Sequence, residues 1–478
     1  MVDGYKHCQL HPFFPSVISA PLTASLVLSL LVSAGPPGLD GGDLLPAPEP
    51  FRPQVSDPLL EPAGRPPRQL ASWGEARDLL RHQSLDERSA AAAVERAQGR
   101  WRQSLGALLP NARLSTALAA DLLNPTVAPL VGVSPTVVGS RAPTVPVGTG
   151  TLSLSQSVVD VGAWKGLSSA DALRTSAALN LEDTRRRATQ GLARNLVAVI
   201  AAERVAELNR VGLRQALERF ALIGRTQELG AATQVDVVRT RQDVDVARGT
   251  LIAGDEQLRQ TREALGVALG IDSEVGVVPG FALEALATEA RAQCKSINWE
   301  QRADLASARA NLESARESRR QASWGYAPTL GVTSTVFGYT TQTDFGRLAT
   351  WNISAVLSVP LWEGGFREGL VTERAGVTAQ AEASLEANRR QVRLEVTQAL
   401  RRVSVAEALT ATAREARADA AQLDLLTRRA FEVGRGSSLE LVQSAAVLRQ
   451  ADVLLATREF ELVQARLDVL MTEARCDW

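Results

Sequence analysis

The sequence contains very little lysine and histidine. Among 478 residues, lysine occurs only at Lys6, Lys165 and Lys295, and histidine occurs 3 times. Arginine therefore carries nearly all of the positive charge, yet the acidic and basic side chains balance at a net charge of −1. Such a balance gives no electrostatic reason to expect a nucleic-acid partner or an anionic surface.

The sequence also lacks the motifs of an enzyme. Beyond the N-terminal segment the only histidine is His82, on a predicted helix, where a solvated or packed imidazole is the simpler interpretation. There is no nucleophile elbow, no phosphate-binding loop and no Cys/His set at metal-ligand spacing. We therefore expect no catalytic, cofactor or metal site. Because no energy-coupling site is present either, any transport must be driven by another protein.

The N-terminus reads as a targeting signal. Lys6 precedes an apolar run over residues 17–32, and small residues at 32–34 offer a cleavage site. The run is shorter than the roughly 20 residues of a transmembrane helix, which favours a secretory signal peptide over residues 1–34. The following segment, 35–70, is rich in proline and glycine and is predicted to be extended. In an oxidising compartment Cys294 and Cys476 form a disulfide or remain two buried thiols, and the sequence leaves both open.

Two turns show that the chain is internally duplicated. Gly230 is followed by TQVD, and Gly434 is followed by SSLE. These glycines are 204 residues apart, and Asp160 and Glu363, which end two similar alternating segments, are 203 apart. The two pairs of landmarks lie about 70 residues apart in the chain and have almost the same offset. A constant offset of this kind indicates a tandem duplication. We assign 71–270 to the first repeat, 271–298 to a connector and 299–478 to the second repeat.

Each repeat contains two short alternating segments. The first repeat has 112–120 and 151–162, and the second has 329–340 and 351–361. Each segment has one apolar face and one face of small polar residues. Such strands fit a soluble sheet, which the strands alone favour, or a membrane barrel with lipid outside and water inside. Four strands are too few to close a membrane barrel, so a barrel would need several chains related by cyclic symmetry.

The segments 162–230 and 365–434 contain no proline and predict two very long helices. Their small and apolar residues recur every seventh position, which is typical of helices supercoiled on neighbours. Each would be about 100 Å long at 1.5 Å per residue. Shorter helices at 71–107, 233–269, 300–323 and 437–474 are expected to stack end to end beside them. Their junctions would form a belt that carries Cys294 and Cys476.

In their duplicated order, these segments resemble the TolC-like outer-membrane efflux protein family from Ala71 to about Glu473. The matching residues are SWGEARDLL, LLPNARL, VPLWEGGFREG and the two turns. The resemblance implies a homotrimer whose twelve-stranded barrel lies in the outer membrane, in contact with its lipid, above a long periplasmic helical barrel. It implies an exit duct of a tripartite efflux pump or a type I secretion system, opened by a periplasmic adaptor and an inner-membrane transporter.

The expected fold is therefore mainly α with a small β part. It has tandem-duplicated coiled-coil helices and four strands per chain, in a trimeric α-barrel/β-barrel channel of the outer membrane with a long periplasmic extension. The alternative is a secreted coiled-coil structural or adhesive protein with soluble β segments. A periplasmic adaptor fits less well, because adaptors usually carry a single helical hairpin and a lipoyl-like domain.

The residues that follow the turn glycines have two interpretations. Thr233–Asp236 and Ser437–Glu440 have the spacing of capping boxes, in which a hydroxyl and a carboxylate satisfy the first amides of a helix. In the resembling family, two acidic residues after the second glycine line the channel entrance at the periplasmic tip. In this sequence they fall on Glu440 and Gln443, so the entrance would be less acidic than the family pattern.

Overall fold

The computed structural model describes residues 53–120, 122–123, 147–281, 298–340 and 349–472, together with 288, 292, 294–296 and 474–476. The predicted signal peptide at 1–34 lies outside these residues. So do residues 35–52, which are half of the predicted extended segment, and most of the loop that joins the two strands of the first repeat.

The first half of the chain forms four helices, the two strands of its hairpin and two short strands. In chain order they are β1 (Arg68–Leu70), α1 (Trp73–Gln83), α2 (Leu85–Gly106), β2 (Asn111–Ala119), β3 (Val147–Val159), α3 (Val161–Glu228), α4 (Gln234–Leu269) and β4 (Val275–Val277).

The second half repeats the succession of helix, two strands, long helix and shorter helix. Its described elements are β5 (Cys294–Ser296), α5 (Ala303–Trp324), β6 (Thr329–Tyr339), β7 (Ala349–Ser358), α6 (Phe366–Glu432), α7 (Ser438–Thr472) and β8 (Ala474–Cys476).

Three predicted elements have different limits, one of them the strand predicted over 151–162, which spans Val147–Val159. The single helix predicted over 71–107 is broken at Ser84, which has φ −58° and ψ 120° and whose hydroxyl accepts a hydrogen bond from the Glu87 amide. The serine therefore ends α1 and caps α2. The strand predicted over 351–361 ends at Ser358. Pro360 lies two residues further on and has no amide hydrogen to donate to a neighbouring strand.

The two long helices organise the protomer. α3 has 68 residues and α6 has 67, so each is about 100 Å long. The N-terminal half of α3 contacts α2 and α5, and Ser169 of α3 packs there on Ser314 of α5. The C-terminal half contacts α4 and α7. The seven-residue spacing is confirmed as the buried stripe of both helices. Its buried members are Leu192, Val199, Ala206 and Leu213 in α3 and Val392, Ala399, Ala406, Ala413 and Ala420 in α6.

Within the described residues, no helix is both long enough and apolar enough to cross a membrane.

The main hydrophobic core lies halfway along α3, where shorter helices meet. Leu196 of α3 is fully buried there against residues of α1, α4 and α7, and the short strands β1 and β4 pair in parallel beside it. The buried side chains of this cluster include Leu70, Trp73, Leu80, Leu265, Leu269, Val275 and Met471. Removing these apolar side chains from water stabilises the contacts of α1, α4 and α7 with α3. The cluster therefore sets the position along α3 at which these helices meet.

The other short ladder lies near the end of the chain. β5 and β8 pair antiparallel, and the register makes Cys294 the direct partner of Cys476. The ladder thus joins the connector between the repeats to the C-terminal end of the second repeat.

The four longer strands form one antiparallel sheet in the order β2–β3–β6–β7. Consecutive registers place Arg113, Ser153, Thr335 and Asn352 in one row and Leu114, Leu152, Val336 and Trp351 in the next. The sheet therefore has a small-polar face and an apolar face, as the alternation predicts. In the chain as described, β2 and β7 are both edge strands.

Candidate functional site

The first turn, between α3 and α4, is built on Gly230. This residue has φ +75°, and the Ala231 amide donates to the Thr226 carbonyl at 2.9 Å, which closes a Schellman-type helix end. α4 then begins with a capping box. The Thr233 amide donates to Asp236 Oδ2 at 2.9 Å, and the Asp236 amide donates to Thr233 Oγ1 at 3.4 Å.

The second turn, between α6 and α7, repeats this geometry. Gly434 has φ +71°, and the Arg435 amide donates to the Ala430 carbonyl at 2.8 Å. The Ser437 amide donates to Glu440 Oε2 at 3.0 Å, and the Glu440 amide donates to Ser437 Oγ at 3.2 Å. The Glu440 carboxylate is therefore engaged in its own helix cap, the arrangement that the capping interpretation predicts. Gln443, one turn further along α7, is exposed.

A hydrogen bond joins the two turns. Ser438 Oγ, at the start of α7, donates to Asp236 Oδ1 at the start of α4. Asp236 thus accepts bonds from both turns. The hydrogen bond from Ser438, followed by those from the Thr233 hydroxyl and amide, lowers the pKa of Asp236 below its ordinary value. The carboxylate is ionised at neutral pH, and the link between the turns rests on its negative charge.

A second link lies about two helical turns above the first. Asp243 of α4 is buried and accepts from Arg219 of α3, at 2.8 Å, and from Arg449 of α7. Burial lowers the pKa of the Arg219 guanidinium, and the adjacent Asp243 carboxylate opposes this shift. One carboxylate therefore ties three helices of both repeats together.

Sequence reasoning missed part of this site. It brought out the turn glycines and the acidic residue that follows each, and the structure brings Asp236 and Glu440 to neighbouring turns. It did not identify Ser438, Asp243 or Arg449 as contacts between the repeats. Their pairing depends on how α4 and α7 are rotated against each other, and a charged residue in an Arg/Asp-rich helix carries no mark of its partner. No cluster suited to a metal ion occurs among the residues described.

The sheet is the other functional surface, and its two faces differ in exposure along β3. Along β3 the small residues Thr151, Ser153 and Ser157 are half-buried, whereas Leu152 and Leu154 are exposed. The opposite pattern would be expected if the apolar residues filled a core of this chain. On β7, Trp351 and Ile353 are exposed by 70% and 66%. The apolar face is therefore uncovered within the chain as described.

Aromatic residues gather where the sheet meets the helices. Trp164 lies in the first turn of α3, Trp324 ends α5, and Trp362 precedes α6. All three are exposed, by 50%, 47% and 84%. Aromatic side chains at the end of an apolar band are typical of the boundary between membrane and water.

Comparison with known proteins agrees with this geometry. The family model described as "Outer membrane efflux protein" matches residues 76–271 and 298–470. No curated protein sequence matches this chain.

Solved structures show the same fold at low sequence identity. The outer membrane protein VceC from Vibrio cholerae has a TM-score of 0.70 and 15% identity, covering 84% of this chain and 95% of that one. The Campylobacter jejuni CmeC outer membrane channel has a TM-score of 0.70 and 14% identity, covering 88% and 94%. The open state of the Neisseria gonorrhoeae MtrE outer membrane channel has a TM-score of 0.68 and 12% identity, covering 88% and 97%.

The family model spans most of both repeats, and the turns, the duplicated helices and the two-faced sheet accord with it. The chain belongs to the outer membrane efflux protein family, whose members are the outer-membrane channels of efflux pumps.

Proposed function

We propose that three copies of this chain form a continuous exit duct across the outer membrane and into the periplasm. The observation that carries the proposal is the four-stranded sheet, which exposes its apolar face and leaves one edge of each of the outer strands β2 and β7 unpaired in the chain as described. An unpaired strand edge is not tolerated in lipid, because its amides and carbonyls have no water to bond to.

Pairing β7 of each chain with β2 of the next removes both edges at once. A barrel in a membrane needs about eight strands or more, and three chains in cyclic symmetry supply twelve. The exposed leucines and Trp351 would then face lipid, while the threonines, serines and asparagine of the small-polar face would line a water-filled pore.

The helices support the same assembly. α3 lies between other helices of its own chain, whereas α2 and α6 at the two sides of the protomer keep wide exposed faces. In a closed ring these two faces would pack on each other between neighbouring chains. The result would be a helical tube about 100 Å long, which fits a periplasmic extension.

The turns would form the entrance of this tube. Gly230 and Gly434 end the long helices, and Asp236 and Glu440 begin the returning ones. We propose that the entrance is narrowed while Asp236 holds Ser438 and Asp243 holds Arg449, and that it widens when the two helical pairs separate. Gln443 in place of a second carboxylate would make the entrance less acidic.

The proposed partners follow from the chemistry that the chain lacks. The sequence has no nucleotide-binding motif and no other energy-coupling site. We propose that an inner-membrane transporter supplies substrate and energy, and that a periplasmic adaptor connects it to the turns and opens them.

Fractionation and gel analysis test the assembly. Unheated protein from the outer-membrane fraction is expected to migrate as a trimer, and heating is expected to convert it to a single chain of about 50 kDa. Leu114→Glu, which places a charge on the apolar face, should abolish the trimer because a charge facing lipid is costly. Arg113 and Ser115 lie on the other face, so Ser115→Glu is the matched control and should assemble. A monomeric rod in the soluble periplasmic fraction would contradict the proposal.

A further inference from the structure

One charged residue stands out on the small-polar face of the sheet. Arg113, the third residue of β2, is the only charged residue in the sequences of the four strands β2, β3, β6 and β7. Its register partners across the sheet are Ser153, Thr335 and Asn352, all small and uncharged. Its guanidinium therefore has no carboxylate beside it on this face of the described sheet.

The carboxylates that follow the strands do not balance this charge. Asp160, just after β3, accepts a hydrogen bond from the Ala163 amide as the cap of α3. Glu363, after β7, binds Arg367 at 2.9 and 2.7 Å, and this arginine neutralises it. The Asp160 carboxylate is thus held at the start of α3, and the Glu363 carboxylate is paired with an arginine outside the strands. Arg113 itself is exposed.

We propose that Arg113 is a specificity-determining residue: three copies form a cationic ring in the barrel that favours the passage of anionic solutes over cationic solutes of similar size. The proposal rests on the trimeric channel proposed above. Threefold symmetry places the three residues at one height, and the parity of β2 places them on the face that would line the pore. Rings of arginine or lysine select anions in other pores.

The size of the barrel lets the ring act across the whole pore. With strands about 4.8 Å apart and tilted by about 40°, a closed sheet of twelve strands has a radius of about 12 Å. The Debye length is about 10 Å at 0.1 M salt. Because each guanidinium extends from the wall toward the axis, an ion anywhere in this cross-section lies within about one Debye length of a positive charge. Aliphatic and hydroxyl side chains at the same level offer nothing to offset it.

The test measures anion block from the side of the barrel away from the helices. Protein added to one chamber of a planar bilayer inserts barrel first, since the polar helices remain in that chamber. Citrate added to the opposite chamber is expected to block the current by resting at the ring. In Arg113→Gln the half-blocking concentration should rise about threefold at low ionic strength, where screening is weak.

Two further variants complete the test. In the double variant Arg113→Gln/Ser153→Arg the charge returns to the same face and level from the neighbouring strand, so block should be restored. Arg319→Gln removes an equal charge from an exposed position on α5. Citrate should block this variant at the same concentration as the unaltered protein. Because Arg113 lies directly opposite Ser153 in the register, the double variant moves the charge only to the adjacent strand.

The outcomes separate the ring from the channel. Weaker citrate block in Arg113→Gln, together with recovery of the block in the double variant, supports the ring. Conducting trimers whose citrate block is the same with and without Arg113 would overturn the ring and leave the proposed channel standing. Unaltered protein that gives no conducting trimers would overturn the channel and, with it, the ring.

Discussion

α3 and α6 are nearly identical in length and occupy the same place in the two repeats, but their surroundings differ. α3 has 18 buried residues and α6 has 9. Asp160 caps the start of α3, whereas Gly365 before α6 has no side-chain cap. Duplication therefore preserved length and periodicity while the roles diverged. α3 holds the protomer together, and α6 keeps a face that no described part of the chain covers.

The largest expected difference lies at one pair of matched leucines. Leu196 of α3 is fully buried, and Leu400, at the offset of the two turn glycines, is half-exposed on α6. Leu196→Asp should abolish folded protein because it buries an unpaired charge. Leu400→Asp should leave the helix content of the isolated chain unchanged. Circular dichroism of detergent-purified protein measures the helix content of both variants. An equal loss of helix in the two variants would contradict the difference in burial between α3 and α6.

Ion pairs offer a second contrast between the repeats. Asp243 is buried between Arg219 and Arg449, whereas Asp452 binds Arg417 at the surface of the α6–α7 pair. Asp243→Asn should cost about 3–5 kcal/mol because it leaves a buried guanidinium without its counter-charge. Asp452→Asn should cost less than about 1 kcal/mol. Denaturant midpoints measure the difference, and similar midpoints would show that Arg219 finds another partner.

Much of this architecture could be predicted from the sequence. The long helices lack proline and end at glycines, and the structure places their limits within two residues of those predicted. The capping spacing after each glycine likewise gave the local bonds of Asp236 and Glu440. These features depend on neighbours in the chain, which the sequence displays directly.

Other features could not be predicted, because they depend on distant parts of the chain. The break at Ser84 has the Ser-x-x-Glu spacing of a helix cap, which the prediction of one continuous helix overlooked, but the core that α1 joins is built from distant residues. β3 begins at Val147, earlier than the predicted Thr151, because its first residues pair with Leu118 and Ala119 of β2. The parallel pairing of β1 with β4 joins segments about 200 residues apart and follows no local signal.

The two turns allow a finer comparison. Asp236 holds both its own turn and Ser438, whereas the Glu440 carboxylate serves its own cap. Asp236→Asn should therefore raise single-channel conductance by loosening the link between the turns. Glu440→Gln should weaken cation preference and cation block without opening the channel. Equal changes in conductance would contradict the distinction, and unchanged selectivity in Glu440→Gln would leave that residue only its capping role.

The pH dependence of this link has a defined sign. The hydrogen bonds lower the pKa of Asp236, so its contribution is present above the ordinary carboxyl pKa and is lost as the pH falls through the lowered value. Conductance through the unaltered channel should stay constant from neutral pH down to about 4 and rise below it. In Asp236→Asn this acidic rise should be absent. A rise near pH 6 would indicate that another group controls the entrance.

The smallest effect is expected at the ladder that joins the connector to the end of the second repeat. Because Cys294 and Cys476 are direct register partners, their Cα atoms should be about 4.5–5.5 Å apart, within the range that a disulfide spans. We propose that a thiol–disulfide oxidant of the periplasm removes two protons and two electrons and joins the sulfurs. Non-reducing peptide mapping should recover the linked peptides, and alkylation of both thiols in unreduced protein would contradict this. Reduction should free only the C-terminal strand, since the buried core beside α7 does not depend on the ladder, and hydrogen exchange should rise in β8 while the long helices stay protected.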